Sequence, residues 1–128
     1  MGRIGKAGGM ITVVLDWPHP ALAPNRAHGK HWAGLAGIRA KAKSDAFYVT
    51  KAAAAGHKFH PDLKQRVSIT FIAPDKRRRD LDGCLSSIKN YLDGIAKAIG
   101  TDDSKFGPVT LDYVHGDKPG SVIVTVGS

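Results

Sequence analysis

The residues of this chain with the clearest chemical potential are two pairs of aspartates that lie near a run of cations. Asp80 and Asp82 come directly after four consecutive cations, Lys76–Arg79, and Asp102-Asp103 follows twenty residues after Asp82. Mg²⁺ prefers hard oxygen ligands such as carboxylates and keeps its other positions for water and substrate oxygens. Because a bound ion activates water while Lys or Arg neutralises phosphate, this pattern indicates metal-dependent phosphodiester chemistry.

Each of these aspartates also has a structural explanation. Asp80 stands where a helix N-cap is expected, and Asp82 would be a first-turn acid that the helix dipole favours. Asp102 and Asp103 fit the turn chemistry that often follows a helix-ending glycine such as Gly100. The arginines can equally serve as counter-ions, so the spacing alone leaves the catalytic and the structural explanations open.

The composition predicts a polyanionic partner and excludes several protein classes. The 128 residues carry a formal net charge of +8 and a pI near 9.8, which is typical of proteins that bind nucleic acid. A single cysteine, Cys84, excludes an internal disulfide and a cysteine-based zinc finger. The apolar runs are too short to span a bilayer. Residues 1–9 lack the apolar segment of a secretory signal, so we expect a flexible leader there and a cytoplasmic location.

The elements that must position the aspartates follow from the periodicity of the apolar side chains. A stripe with spacings of four and three predicts one helix of about five turns from Leu81 to Ile99. A second helix is predicted at Ala33–Ala55, with an inward stripe formed by Ile38, Ala42, Ala46 and Val49. β-branched runs predict four strands, at Ile11–Trp17, Val67–Ile72, Val109–Val114 and Ser121–Val126.

The order of these elements, β-α-β-α-β-β, predicts an α+β fold. We expect a small mixed sheet with two helices packed against it, in a single domain over residues 10–128. Turn-forming residues between the last two strands predict that these strands form a hairpin. The five-turn helix, about 30 Å long, separates Asp80 and Asp82 from Asp102 and Asp103. The two pairs can therefore meet only if the helix is shorter or a partner subunit contributes.

Several of these segments together resemble the RusA family of Holliday junction resolvases, which is common in prophages. The most specific part is Pro74–Asp82, followed by Leu92-Asp-Gly-Ile95 and Asp102-Asp103-Ser104. The resemblance extends to Trp17-Pro18 and to the Pro24-Asn25-Arg26 loop. It implies a small homodimer that cuts four-way DNA junctions with Mg²⁺ or Mn²⁺. It also implies that Asp80, Asp82 and Asp103 are the essential carboxylates. Because two adjacent aspartates can exchange roles, Asp102 is the alternative ligand to Asp103.

The chain departs from the pattern of this family at two positions. Gly83 stands where the family usually has Asn, and Ser86 stands where it has an essential lysine. Lys89 is the candidate replacement, because its spacing to Asp93 matches the lysine-to-aspartate step of the family.

Two main functions remain open after this reading. The first is a metal-dependent, structure-selective endodeoxyribonuclease that resolves four-way junctions in DNA recombination and repair. The second is a non-catalytic nucleic-acid-binding protein that uses the same basic surface, and a third, less favoured reading is a structural or regulatory prophage module. In the first two readings the phosphate contacts come from the same cations: Lys76, Arg77, Arg78, Arg79, Arg26 and Lys30.

Overall fold

The computed structural model describes residues 9–24 and 32–127. This part of the chain contains four strands, three α-helices and two short 3₁₀ turns. The strands are β1 (Met10–Asp16), β2 (Gln65–Ala73), β3 (Phe106–His115) and β4 (Ser121–Gly127). The helices are α1 (Trp32–Ala53), α2 (Leu81–Ser87) and α3 (Lys89–Ala98), and the 3₁₀ turns are Pro20–Leu22 and Asp103–Lys105. The predicted α+β class is confirmed, whereas the predicted leader lies, apart from Gly9, outside the described residues.

The four strands form one mixed sheet in the order β1-β4-β2-β3. β2 runs parallel to β3, and the other two pairings are antiparallel. Alternate residues of the strands are buried, as expected when one face of a sheet packs on a core and the other faces solvent. The core joins these inward residues to the helices, and its largest fully buried side chains are Phe71, Ile69, Ile88 and Ile95.

The predicted hairpin between the last two strands is wrong. β3 and β4 are not neighbours, because β2 lies between β4 and β3 in the sheet. The short connection crosses the end of β2, where the Gly116 amide donates a 2.8 Å hydrogen bond to the Ala73 carbonyl oxygen. Gly120 has φ +75°, and a side chain there would meet the Ile72 carbonyl oxygen and Pro74. The turn-forming residues therefore correctly predicted that the chain reverses between β3 and β4, but they did not predict which strands pair.

The helix predicted from Leu81 to Ile99 is interrupted at Ile88. The Ser87 hydroxyl donates a 2.7 Å hydrogen bond to the Cys84 carbonyl oxygen, which an uninterrupted helix would pair with the Ile88 amide. The Ile88 amide donates instead to Leu85, three residues back, in a tighter turn. Ile88, Ile95 and Ile99 of the apolar stripe are buried, Leu85 and Leu92 are partly buried against the core, and Leu81 is exposed, so the break leaves most of the stripe in contact with the core.

The first helix packs closely against α3. Gly94 permits the approach, because a side chain there would collide with the backbone of Lys43 in α1. The predicted inward stripe is correct for Ala42 and Ala46 but wrong for Val49, which is exposed. Thr50 is buried in its place, and its hydroxyl has no hydrogen-bond partner among the described residues. Within the same ranges, no helix is long and apolar enough to cross a membrane.

Candidate functional site

The loop between β2 and α2 is organised around the carboxylate of Asp75. This carboxylate accepts a 2.9 Å hydrogen bond from the Arg77 amide and further hydrogen bonds from the Arg77 guanidinium. The Arg79 guanidinium donates to both of its oxygens, at 2.9 and 3.3 Å. The hydrogen bonds from Arg79 and then from Arg77 hold the pKa of Asp75 well below its usual range. These hydrogen bonds therefore hold the basic run in one loop conformation.

The four cations of this run have different environments. The side chain of Arg79 is only 19% exposed and lies over the ring of Trp17, with 5.2 Å between the guanidinium carbon and the ring centroid. It also donates a 3.3 Å hydrogen bond to the Tyr113 hydroxyl. Arg79 thus positions the loop against β1 and β3, which argues against the prediction that it contacts phosphate as freely as its neighbours.

The other three cations of the run are open to solvent. Arg77 is 74% exposed although it pairs with Asp75, so its guanidinium can still reach a ligand. Lys76 and Arg78 are exposed and form no ion pair with any residue that the structure describes. The predicted contacts of Arg26 and Lys30 lie outside the described residues. Lys76, Arg77 and Arg78 therefore form the accessible part of the predicted DNA surface.

Asp80 occupies the N-cap position of α2 but does not act as a side-chain cap. Its backbone is extended, with φ −79° and ψ 139°, and its carbonyl accepts a 3.0 Å hydrogen bond from the Cys84 amide. Its carboxylate makes no capping hydrogen bond to the described residues. The structural explanation for this aspartate is therefore not realised, and the exposed carboxylate is left free to bind a ligand.

A cleft of about 690 Å³ opens beside Asp80, between the basic loop, the start of α2 and the segment that follows β1. We group its lining residues by type and call the two sets the apolar half and the charged half. The apolar half comprises Trp17, Pro18, Pro20, Pro24 and Pro74, and the charged half comprises His19, Arg77, Arg78, Arg79 and Asp80. Asp82 is exposed in the first turn of α2 but does not line this cleft.

The second pair of aspartates belongs to a different acidic group. Asp103 begins the 3₁₀ turn before β3, and its pKa is raised by partial burial and then by the negative charges of Asp93 and Asp102. The Asp102 carboxylate accepts a 2.7 Å hydrogen bond from the Ser104 hydroxyl. We call Asp93, Asp102 and Asp103 the acidic group. Asp93 was part of a recognised motif in the sequence, but nothing there indicated that it would adjoin Asp103.

The structure does not bring the predicted metal ligands together within one chain. Asp80 and Asp82 belong to the start of α2, whereas Asp93 lies in α3 and Asp103 follows the end of α3. Since Mg²⁺ contacts its ligands at about 2.1 Å, a shared ion would require these carboxylates to converge on one point. No set of three or more His, Cys, Asp or Glu residues within 9–24 and 32–127 is arranged to hold a metal.

The donor chemistry at the start of α2 nevertheless fits Mg²⁺. This ion usually takes one or two carboxylates and completes its shell with water and substrate phosphates. Asp80 and Asp82 are both exposed and offer such a pair. Lys89 is exposed at the first position of α3, one helical turn before Asp93, so it lies on the side of the acidic group. Ser86 is exposed on α2 and supplies no positive charge.

The wall of the cleft that precedes α1 was not predicted from the sequence. Its residues, Trp17 to Pro24, read as the end of a strand and a proline-rich loop, and the resemblance to the resolvase family covered Trp17-Pro18 and Pro24 without indicating a cleft. The one available signal was the repetition of prolines around His19, which limits the freedom of the backbone. Which element this wall would face depended on the tertiary fold.

The chain is similar to an uncharacterized protein of Xylella fastidiosa strain Temecula1. The two are 30% identical over 120 residues, which cover 91% of this chain and 76% of that protein. No profile of a known protein family matches the chain. The relative has no described activity, so the functional argument depends on the residues of the site.

Proposed function

This chain belongs to the same family as the uncharacterized Xylella fastidiosa protein, and we propose that it is a Mg²⁺-dependent, structure-selective endodeoxyribonuclease. The proposed substrate is the four-way (Holliday) DNA junction, which the enzyme would resolve by phosphodiester hydrolysis. The observation that carries this proposal is the carboxylate of Asp80, which does not cap its helix and lines a cleft together with three arginines. A carboxylate beside excess positive charge suits a site that binds a cation and a phosphate together.

The residues have separate roles in this proposal. Asp80 and Asp82 would hold the metal ion, with Mn²⁺ as the possible substitute for Mg²⁺. When bound, the ion supplies Lewis acidity and an activated water. Lys76, Arg77 and Arg78 would bind the phosphates on either side of the scissile bond, and Arg79 would keep the loop in place. The Asp75 carboxylate orients this loop through the hydrogen bonds described above.

A second copy of the chain would complete the site. Asp80 and Asp82 lie at the start of α2, whereas Asp103 lies beyond the end of α3, and no three carboxylates among the described residues are arranged to hold a metal. The two-fold character of a four-way junction suits a homodimer with one site per cut. In such a dimer the acidic group of one protomer would meet Asp80 and Asp82 of its partner. Lys89, beside the acidic group, would then take the place of the lysine that is absent at Ser86.

The direct test is incubation of a synthetic four-way junction with and without Mg²⁺. We expect metal-dependent, paired cuts near the branch point. Asp80→Asn, Asp82→Asn and Asp103→Asn should each lower the cleavage rate by on the order of a hundredfold or more, because each removes a charge that the ion needs. Junction binding should persist, since these changes make the surface less negative. Asp62→Asn, at an exposed aspartate outside the site, is the matched control.

A non-catalytic nucleic-acid-binding function is the second candidate. The observation that favours it is the separation of the carboxylates into two groups, together with Ser86 at the position of the family lysine. Tight junction binding with no cleavage in Mg²⁺ or Mn²⁺ would establish this function and reject the nuclease. A cleaving protein whose rate is unaffected by Asp80→Asn would instead place the active site elsewhere.

A further inference from the structure

The cleft beside Asp80 combines two kinds of surface that a binder of duplex DNA does not need in one pocket. Its apolar half contains a tryptophan and four prolines, and its charged half contains three arginines. Contacts to the backbone of a duplex require cations alone. A pocket that places apolar walls next to cations suits a ligand with a flat, largely apolar part and an anionic part, and a nucleotide has both.

The size of the cleft supports the same class of ligand. Its volume of about 690 Å³ lies within the range of pockets that enclose small molecules. A sphere of that volume is about 11 Å across, which is enough for a small organic ligand. The cleft therefore has room for a single nucleotide.

The ring of Trp17 is held in a defined position at the apolar half. It packs edge-on against Phe71, with 6.3 Å between the ring centroids, and carries the Arg79 guanidinium on its face. Aromatic side chains of this kind provide stacking or edge contacts for unpaired bases. The prolines on either side of His19 reduce the backbone freedom that would have to be lost on binding.

His19 contributes a hydrogen-bond donor to the charged half, because its hydrogen bond to Ala21 determines which ring nitrogen carries the proton. Its Nδ1 accepts a 3.0 Å hydrogen bond from the Ala21 amide, which caps the 3₁₀ turn Pro20–Leu22. A neutral imidazole has one accepting and one donating nitrogen, so Nε2 carries the proton. Nε2 makes no hydrogen bond to the residues described in the structure, and it is therefore available to an acceptor on a ligand.

We propose that the cleft binds one unpaired nucleotide at the branch point of the DNA substrate. The His19 Nε2–H and the guanidiniums of Arg77 and Arg78 hold its phosphate, and the apolar half receives its base. The proposal rests on the proposed function, because it takes branched DNA as the substrate. A nucleotide at the branch point is easier to accept than one within an arm, because the stacking of its arm ends there and less free energy is needed to unpair and unstack it.

Two substitutions at His19 separate ligand binding from the structural role of the ring. His19→Asn keeps an acceptor near the position of Nδ1 and loses the donor at Nε2. His19→Gln places an amide donor near the position of Nε2 and loses the acceptor for the Ala21 amide. If the cleft binds phosphate, His19→Asn should weaken junction binding by about tenfold, because a hydrogen bond to a charged group is lost. His19→Gln should retain most of the affinity.

The probe is a four-way junction with 2-aminopurine at the branch point, compared with one that carries it within an arm. Binding should raise the fluorescence of the branch-point probe alone, because that base leaves the stack, and His19→Asn should reduce this rise. His57→Asn, in a loop outside the cleft, is the matched control and should change neither signal. Melting temperatures of both His19 variants identify any loss of the turn.

Three results would overturn the proposal. The first is binding of the junction with no rise in the fluorescence of the branch-point probe. The second is an equal loss of affinity in both His19 variants, which would indicate a structural role for the ring. The third is binding of free deoxycytidine monophosphate that the junction does not displace, which would indicate a free nucleotide as the ligand. Cleavage of the same junction, measured in parallel, shows separately whether the proposed function holds.

Discussion

The two carboxylate-bearing regions of this protein have opposite electrostatic environments. In the basic loop beside the cleft, Asp75 is held by two arginines, and the pKa of its carboxyl is well below the usual range. In the acidic group, Asp103 adjoins two other aspartates, and the pKa of its carboxyl is raised. The first region has a surplus of positive charge that a phosphate can neutralise. The second has a surplus of negative charge that a cation or a basic surface can neutralise.

This contrast suggests how the two regions fit together in the proposed dimer. Each has the charge that the other lacks, and neither has by itself three carboxylates arranged to hold a metal in the part of the chain that the structure describes. Joining the cleft of one protomer to the acidic group of its partner would remove both surpluses. The arrangement would also make the active site dependent on dimerisation.

The largest effect is expected from mixing two inactive variants. A heterodimer of one Asp80→Asn protomer and one Asp103→Asn protomer has two shared sites. One of these sites would carry both substitutions, and the other would carry neither. Equal mixing yields half heterodimers, so about a quarter of the wild-type sites should be restored. The measurement is the rate at which the mixture nicks a four-way junction, after the two variants have been unfolded and refolded together.

The same experiment with Asp80→Asn and Asp82→Asn is the matched control. These residues come from one protomer, so each site of the heterodimer keeps one substitution and no activity should return. Activity that stays absent from both mixtures would mean that each chain carries its own complete site.

A second prediction distinguishes the cations of the basic loop. Lys76→Ala and Arg78→Ala should each lower the magnitude of the salt slope of DNA binding by about one, because each removes one phosphate contact. Arg79→Ala should change the slope less and lower the melting temperature more, since its guanidinium is already engaged by Asp75 and Trp17. Junction affinity measured against salt concentration tests the first effect, and thermal unfolding tests the second. Equal salt slopes for the three variants would show that Arg79 contacts phosphate as its neighbours do.

The sequence predicted the positions of the strands and helices better than it predicted which strands pair in the sheet. The spacing of apolar residues placed four strands and the helical segments correctly, because periodicity reports which face of an element is buried. It did not reveal that β2 would lie between β3 and β4, since strand pairing is decided by tertiary contacts. The break at Ile88 depends on a single hydroxyl of Ser87, and a serine at an inward position gives no such signal.

The candidate site was predictable only in part. Asp80 and Asp82 stood out because they follow a run of cations, whereas the sequence left open whether Asp102 and Asp103 fold back toward them. The role of Arg79 depends on its contact with Trp17, which forms only when the segment after β1 reaches its final position. Local sequence could not distinguish Arg79 from Arg78, although they are adjacent.

A third prediction concerns the anchor of the basic loop. Asp75→Asn should lower the melting temperature at neutral pH, because the amide cannot hold both arginines as a carboxylate does. Since the pKa of Asp75 is lower in the folded state, its contribution is fully present above the unfolded value near 4 and is lost as the pH falls below it. The difference between wild type and variant should therefore be constant above about pH 5 and smaller at pH 3. Asp117→Asn, at an exposed turn position, is the control.

The smallest predicted effect has the opposite sign and lies in the acidic group. Because partial burial, Asp93 and Asp102 raise the pKa of Asp103, its ionised form is less favourable in the folded state than in the unfolded chain. Its unfavourable contribution appears as the pH rises through the usual value near 4, and it is absent below that value. Asp103→Asn should thus stabilise the protein at pH 7, by no more than a few tenths of a kcal/mol, because this exposed site is screened by solvent. Urea unfolding at pH 7 and pH 3.5, with and without 0.5 M salt, measures the effect. The gain should shrink in salt and at the lower pH; destabilisation at pH 7 would show that Asp103 makes a favourable contact and that the acidic group is not a region of repulsion.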